Sequence, residues 1–109
     1  VPTAVEALRD RGASAIEAWI GPRACGRCYE LPEPMADGVA KVVPEARSTT
    51  SWGTPAIDVG TGVVAQLLAE GVHVNDLGAE ECTIERDEWF SYRRQGQDSG
   101  RFGAIAVIR

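Results

Sequence analysis

No apolar run in this chain approaches the ~18 residues that a bilayer-spanning helix needs, so no membrane partner is expected. The N-terminus carries no basic segment ahead of an apolar core, so residues at the start of this sequence are not expected to be a secretory leader. Internal repeats and low-complexity tracts are absent, and nothing resembles an interdomain linker, so residues 1–109 are expected to form a single domain. Basic residues are in deficit, with 11 Lys and Arg against 16 Asp and Glu and a net charge of -5. That balance argues against a nucleic-acid partner, which needs a clustered basic face. Cysteine is scarce and odd in number (Cys25, Cys28 and Cys82), a pattern that suits a reducing, cytoplasmic setting better than a disulfide framework. Neither Gly-x-Gly-x-x-Gly nor the Gly-x-x-x-x-Gly-Lys-Ser/Thr phosphate loop occurs.

What is present reads as an ordinary globular chain, 44% apolar and 25% charged. Residues 2–11 have a helical period in Ala4, Val5 and Leu8, with Pro2 in the first turn and Gly12 as a stop. Residues 15–20 predict a strand that Gly21-Pro22 ends. Pro32-Glu33-Pro34 opens a helix to about Val43, and Pro44 closes it. Residues 45–55 have loop composition, and Asp58 is placed to cap a helix over 59–70. Strands are expected around Ala79–Ile84 and over Phe102–Ile108, the latter apolar on both faces as a central strand is. Interleaved helices and strands predict an α/β fold.

Cys25-Gly26-Arg27-Cys28 offers two sulfurs at a spacing that suits one metal ion or a redox pair. A zinc set of Cys25, Cys28, His73 and Cys82 is one reading, and a thioredoxin-like pair is another. The favoured reading is a loop with two small, half-buried thiols, so no metal ligand is assigned. His73, the only histidine, has no nucleophile or carboxylate constellation beside it and is expected in a surface loop. Ser51 and Ser91 lack a base partner and a nucleophile-elbow context. Trp89-Phe90-Ser91-Tyr92-Arg93-Arg94 sets a guanidinium fork beside aromatic rings, which suits phosphate and a purine. It suits equally an exposed corner in which arginine pairs with Asp87 or Asp98.

Three stretches, in order over residues 20–109, carry a family likeness. Ile20-Gly21-Pro22 through Cys28-Tyr29-Glu30-Leu31 is similar to an "IGP…CYEV" segment. Trp52 to Asp58, followed by Gln66-Leu67, is similar to "LDL…QL". Glu81-Cys82-Thr83, Phe90 to Arg94 and Ser99-Gly100-Arg101 resemble a closing "CT…FSYRRD…TGR" signature. Together they resemble the YfiH-like family, also called the laccase-domain or multicopper polyphenol oxidoreductase family and peptidoglycan editing factor, in its actinobacterial form.

The resemblance implies a layered α/β/α fold with a mixed sheet, only part of it carried here. It implies phosphorolysis of adenosine and inosine, with purine nucleoside and phosphate as partners. It also implies a metal centre of two histidines and one cysteine, holding zinc or copper, in "QVHG", "TADC" and "AVHAGWRG" segments. None of those strings occurs in the sequence, and Val1–Leu8 resembles the helix that follows the last of them. The expectation is therefore a C-terminal portion, inactive alone, with no catalytic residue and no cofactor of its own. Truncation, proteolysis or processing would each produce it. Tyr92, Arg93, Arg94, Cys28 and Glu30 remain as substrate-side or supporting candidates. Two other classes stand beside this one. The first is a non-catalytic assembly module that pairs with the missing half or with itself through exposed edges. The second is a small CxxC zinc module.

Overall fold

The computed structural model describes residues 1–108. Helix α1 spans Pro2–Asp10, strand β1 Glu17–Ile20, helix α2 Glu33–Val42, and strand β2 Arg47–Thr49, reached through a 3-10 turn at Pro44–Ala46. Strand β3 (Pro55–Ile57), helix α3 (Val59–Ala69), strand β4 (His73–Asp76) and helix α4 (Tyr92–Gln95) complete the order, with a second 3-10 turn at Gly96–Asp98. The three long helices lie where the apolar period and the prolines place them. Asp58 caps α3 as expected, its side chain accepting the Thr61 amide at 2.9 Å.

The fold is α/β, with parallel and antiparallel pairs both present. β1 pairs in parallel with β4, Glu17 opposite His73 and Ile20 opposite Asp76. Such a pair needs a long crossover, and everything from α2 to α3 supplies it. Along β1 the side chains alternate: Ala18 and Ile20 turn inward, while Glu17 and Trp19 face solvent. The inward face packs with Val74 on Val5 of α1 and Leu67 of α3, around Val72. β2 and β3 form an antiparallel hairpin, Ser48 opposite Ala56. Its turn is closed by Thr50 and Thr54, whose hydroxyls meet at 2.7 Å. The segment at Glu30 bridges onto Ala56, and α2 covers the hairpin through Leu31, Ala36 and Ile57.

Two faces of α3 are used. Leu67 and Val63 serve the first cluster, while Gly62 lies against the 3-10 turn before β2. A Cβ on Gly62 would stand 2.9 Å from that of Ala46. Among the described residues no helix is long and apolar enough to cross a membrane.

Three local expectations are corrected. Residues 45–55 are not all loop, because Arg47–Thr49 and Pro55 join the hairpin. Local composition hides a strand this short, whose stability comes from cross-strand partners. Around Ala79–Ile84 there is no continuous strand, only the parallel bridge from Cys82 to Arg23. The facing segment runs through Pro22, which has no amide to give to a ladder. Phe102–Ile108 forms no strand, and Ile105 and Ile108 stand 93% and 100% exposed. A strand exists by pairing, and among the described residues nothing pairs with this run.

Candidate functional site

Beyond Ile20 and Asp76 the parallel pair opens, and two loops leave side by side. Arg23 ties them together: its guanidinium grips the Asp76 carboxylate with both nitrogens, one contact being 2.8 Å. The pair is half-buried, and the Arg23 contact holds the Asp76 carboxyl below its usual range. A lowered folded-state value means the contribution is present above the unfolded value of ~3.9 and is lost as pH falls through the folded one. Urea midpoints measured from pH 6 to pH 2.5 should therefore fall on the acid side. Asp76→Asn should flatten that fall and lower the plateau; an unchanged profile would show that the pair contributes nothing.

Over this junction lies a cleft of about 340 Å³, walled by Arg23, Tyr29, Phe90, Tyr92, Arg93 and Phe102. The structure separates the roles of the two adjacent arginines. Ser91 caps α4 by accepting the Arg94 amide at 3.3 Å, and its own amide donates to Gln95 Oε1 at 2.8 Å. That cap turns the two side chains apart. Arg93 lies over the Tyr29 ring, 4.6 Å from its centre, and donates to the Glu30 carbonyl. Arg94 turns away and donates to the carbonyls of Thr83, Ile84 (3.2 Å), Arg86 (3.1 Å) and Trp89 (2.7 Å). Asp87 is 4.0 Å from Arg94 Nε and fully solvated, so it adds little.

Tyr92 is exposed at the cleft mouth. Glu30 points elsewhere, to Trp52 Nε1 at 2.7 Å and to the Thr54 hydroxyl. Those donors, Thr54 first, lower its carboxyl from the usual value. The cleft also contains Arg23 and Phe102, which sequence reasoning did not single out. Only the fold brings them to Tyr29.

Behind the cleft the three cysteines meet. Cys25, Cys28 and Cys82 are free thiols, joined by Glu85, with all four donor atoms within 4.8 Å of one another. Cys28 donates to Glu85 Oε1 at 3.0 Å, and Cys25 approaches the same oxygen at 3.7 Å. Burial first, then Glu85, pushes the Cys28 thiol well up; burial and Cys82 push Cys25 up. Burial acts on Cys82 in the same direction, but amides of Cys25, Glu85 and Ile84 outweigh it and bring this thiol down. The Cys25 amide lies 3.3 Å from Cys82 Sγ.

His73 is not in this group. It opens β4 at the far end of the ladder, 3.9 Å from Glu17, so the set Cys25, Cys28, His73 and Cys82 is corrected to one with Glu85. His73 is exposed as expected, but on a strand and not in a loop. Glu85 was overlooked because its signal, Cys82-x-x-Glu85, repeats the Cys-x-x-Cys spacing with a carboxylate in the last place.

Residues 1–109 match the family described as multi-copper polyphenol oxidoreductase laccase. The chain belongs to this laccase family. A purine nucleoside phosphorylase of Streptomyces coelicolor is 51% identical over 110 residues, covering 99% of this chain and 45% of that protein. One of Streptomyces griseus is 53% identical over 99% of this chain and 44% of its own length. Another, of Mycobacterium tuberculosis, is 38% identical over 96% and 42% respectively. The chain thus spans less than half the length of these curated relatives. No solved structure matches it significantly. The laccase family's description names copper, but the donors gathered here do not form the imidazole-rich set of an oxidase copper site. His73 is the chain's one imidazole, and it stands apart on Glu17.

Proposed function

We propose that this chain is the C-terminal part of a purine nucleoside phosphorylase and supplies a substrate-side wall of its site. The observation that carries the reading is the pair of Streptomyces phosphorylases matched along 99% of the chain. In phosphorolysis a phosphate oxygen bonds to ribose C1′ while the C1′–N9 bond breaks, leaving ribose 1-phosphate and a purine. The wall required is a flat aromatic surface for the base and a fixed cation for the anion. Tyr29, Tyr92 and Phe90 fit the first need, and Arg93 over Tyr29 fits the second. Arg94, Cys28 and Glu30 take positioning roles on this reading: Arg94 holds the 83–89 loop, and the Glu30 carbonyl holds Arg93. Zinc or copper belongs, on the family resemblance, to residues outside this chain.

The test is the whole protein with adenosine or inosine and phosphate, under metal-replete conditions. Release of adenine or hypoxanthine with ribose 1-phosphate is expected, and its absence sinks the reading. Arg93→Ala should lower kcat/KM about tenfold or more, near 1.4 kcal/mol, with a fall in the urea midpoint well below that of Arg94→Ala, because its contacts to the Glu30 carbonyl and the Tyr29 ring are solvent-exposed.

An assembly role is the second reading, in a cytoplasmic setting, with the remainder of the protein or a second copy as partner. It is favoured by Trp19 and Leu77, 62% and 70% exposed beside the parallel pair. The solution mass of the chain, by light scattering, separates the two occupants.

A further inference from the structure

Two turns of identical spacing face each other behind the cleft. Cys25-Gly26-Arg27-Cys28 and Cys82-Thr83-Ile84-Glu85 each carry donor side chains three residues apart. Each turn is closed in the same way, by the amide that follows it. Tyr29 donates to the Cys25 carbonyl at 3.0 Å, and Arg86 to the Cys82 carbonyl at 2.9 Å. The parallel bridge between Arg23 and Cys82 sets one turn against the other. We propose that Cys25, Cys28, Cys82 and Glu85 form a closed tetrahedral zinc site that clamps the 23–31 loop to the 82–86 turn.

The geometry suits that ion. Zinc bonds of ~2.3 Å to sulfur put neighbouring tetrahedral donors about 3.8 Å apart. The donors here lie within 4.8 Å of one another, and Cys28 Sγ is 3.0 Å from Glu85 Oε1, so closure needs side-chain shifts of about 1 Å at most. Three thiolates and one carboxylate are a soft, largely sulfur set, which disfavours calcium and magnesium and favours zinc among divalent ions. The backbone amide already directed at Cys82 Sγ is the outer support that a thiolate ligand uses. Gly26 has no room for a side chain: a Cβ there would lie 2.7 Å from Ser48 Oγ and 2.8 Å from Asp58 Cβ. The first turn is thus held rigidly against the hairpin, and Ser48 Oγ donates to the Gly26 carbonyl at 2.8 Å. Binding transfers the thiol protons to solvent as the sulfurs ligate. Because Thr83 and Ile84 line the cleft, the ion would brace its floor. The proposal does not depend on the phosphorylase reading, since its test measures no turnover.

The full chain, expressed with zinc and purified without chelator, is expected to hold one zinc per molecule by elemental analysis. Cobalt substitution should produce intense tetrahedral visible bands and thiolate charge-transfer absorption. Cys28→Ser, at a half-exposed position, should abolish both with far-ultraviolet dichroism retained. Glu85→Gln should weaken zinc about tenfold or more against a chromophoric chelator. Should the serine variant misfold, alkylation of the wild-type chain decides: zinc should shield Cys25, Cys28 and Cys82 together. Three thiols that alkylate at the same rate with and without zinc would overturn the site. Zinc retained by folded Cys28→Ser, or an octahedral cobalt spectrum, would do the same.

Discussion

Arg94→Ala should cost about 3 kcal/mol of folding stability, a larger loss than any other single truncation at the cleft. A hydrogen bond from a charged donor contributes about 1.5–3 kcal/mol, and orphaned carbonyls add a desolvation cost unless water reaches them. Arg94 serves the carbonyls of Thr83, Ile84, Arg86 and Trp89 at once, and its side chain is three-quarters buried. Part of the turn can rehydrate, which keeps the sum well below four full bonds. Equilibrium urea unfolding measures the loss. Arg94→Lys should recover only a fraction, because an ammonium cannot fork across carbonyls that lie in several directions. A wild-type midpoint in Arg94→Ala would show that the 83–89 loop is held by something else. The contrast with Arg93→Ala is the useful one, since that neighbour serves a single exposed carbonyl and should alter turnover more than the midpoint.

Gly78→Ala should have a comparable effect for a steric reason. A Cβ at this position would lie 2.6 Å from Pro22 N and closer still to the Gly21 carbonyl, and both obstacles are backbone. The Gly78 amide meanwhile donates to the Ile20 carbonyl at 3.0 Å. The methyl group therefore forces apart the two chains at the point where β1 and β4 hand over to the cysteine turns. Overpacking of this kind costs about 1–3 kcal/mol, and the upper end applies where no side chain can yield. Gly21→Ala is the control, because nothing lies within 4 Å of its added Cβ. Equal midpoints for Gly78→Ala and wild type would mean that this crossing is looser than the structure draws it.

Legibility followed the range of the forces involved. α1, α2 and α3 were readable because proline, Asp58 and the helical period act within a few residues. β2 was not, since Arg47-Ser48-Thr49 has no strand pattern of its own and exists through Ile57, Ala56 and Pro55 opposite. The run from Ala104 to Ile108 failed in the reverse direction: its apolar pattern is that of a central strand, but pattern without a partner makes none. At the site, the corner of Tyr92, Arg93 and Arg94 was visible as chemistry. Which arginine faces the cleft depends on the turn that Ser91 caps, and adjacent positions on a helix diverge by about 100°. The thiol cluster was half legible. Three cysteines were in view, but Glu85 is set beside them by the pairing of Arg23 with Cys82, 59 positions apart in a register no local pattern encodes.

The position of α3 has a consequence for how this chain comes apart. It touches one small apolar cluster through Val63 and Leu67, and at Gly62 it meets Val43 and Ala46, which share a small cavity with Val39 and Ile57 of the other. When the helix moves, the first cluster loses Val63 and Leu67, and the close approach of Gly62 to Ala46 is lost with them. A single unfolding transition is the expected result, with near- and far-ultraviolet dichroism coincident along the urea curve. Substitutions on either face of α3 are therefore felt in both halves of the chain.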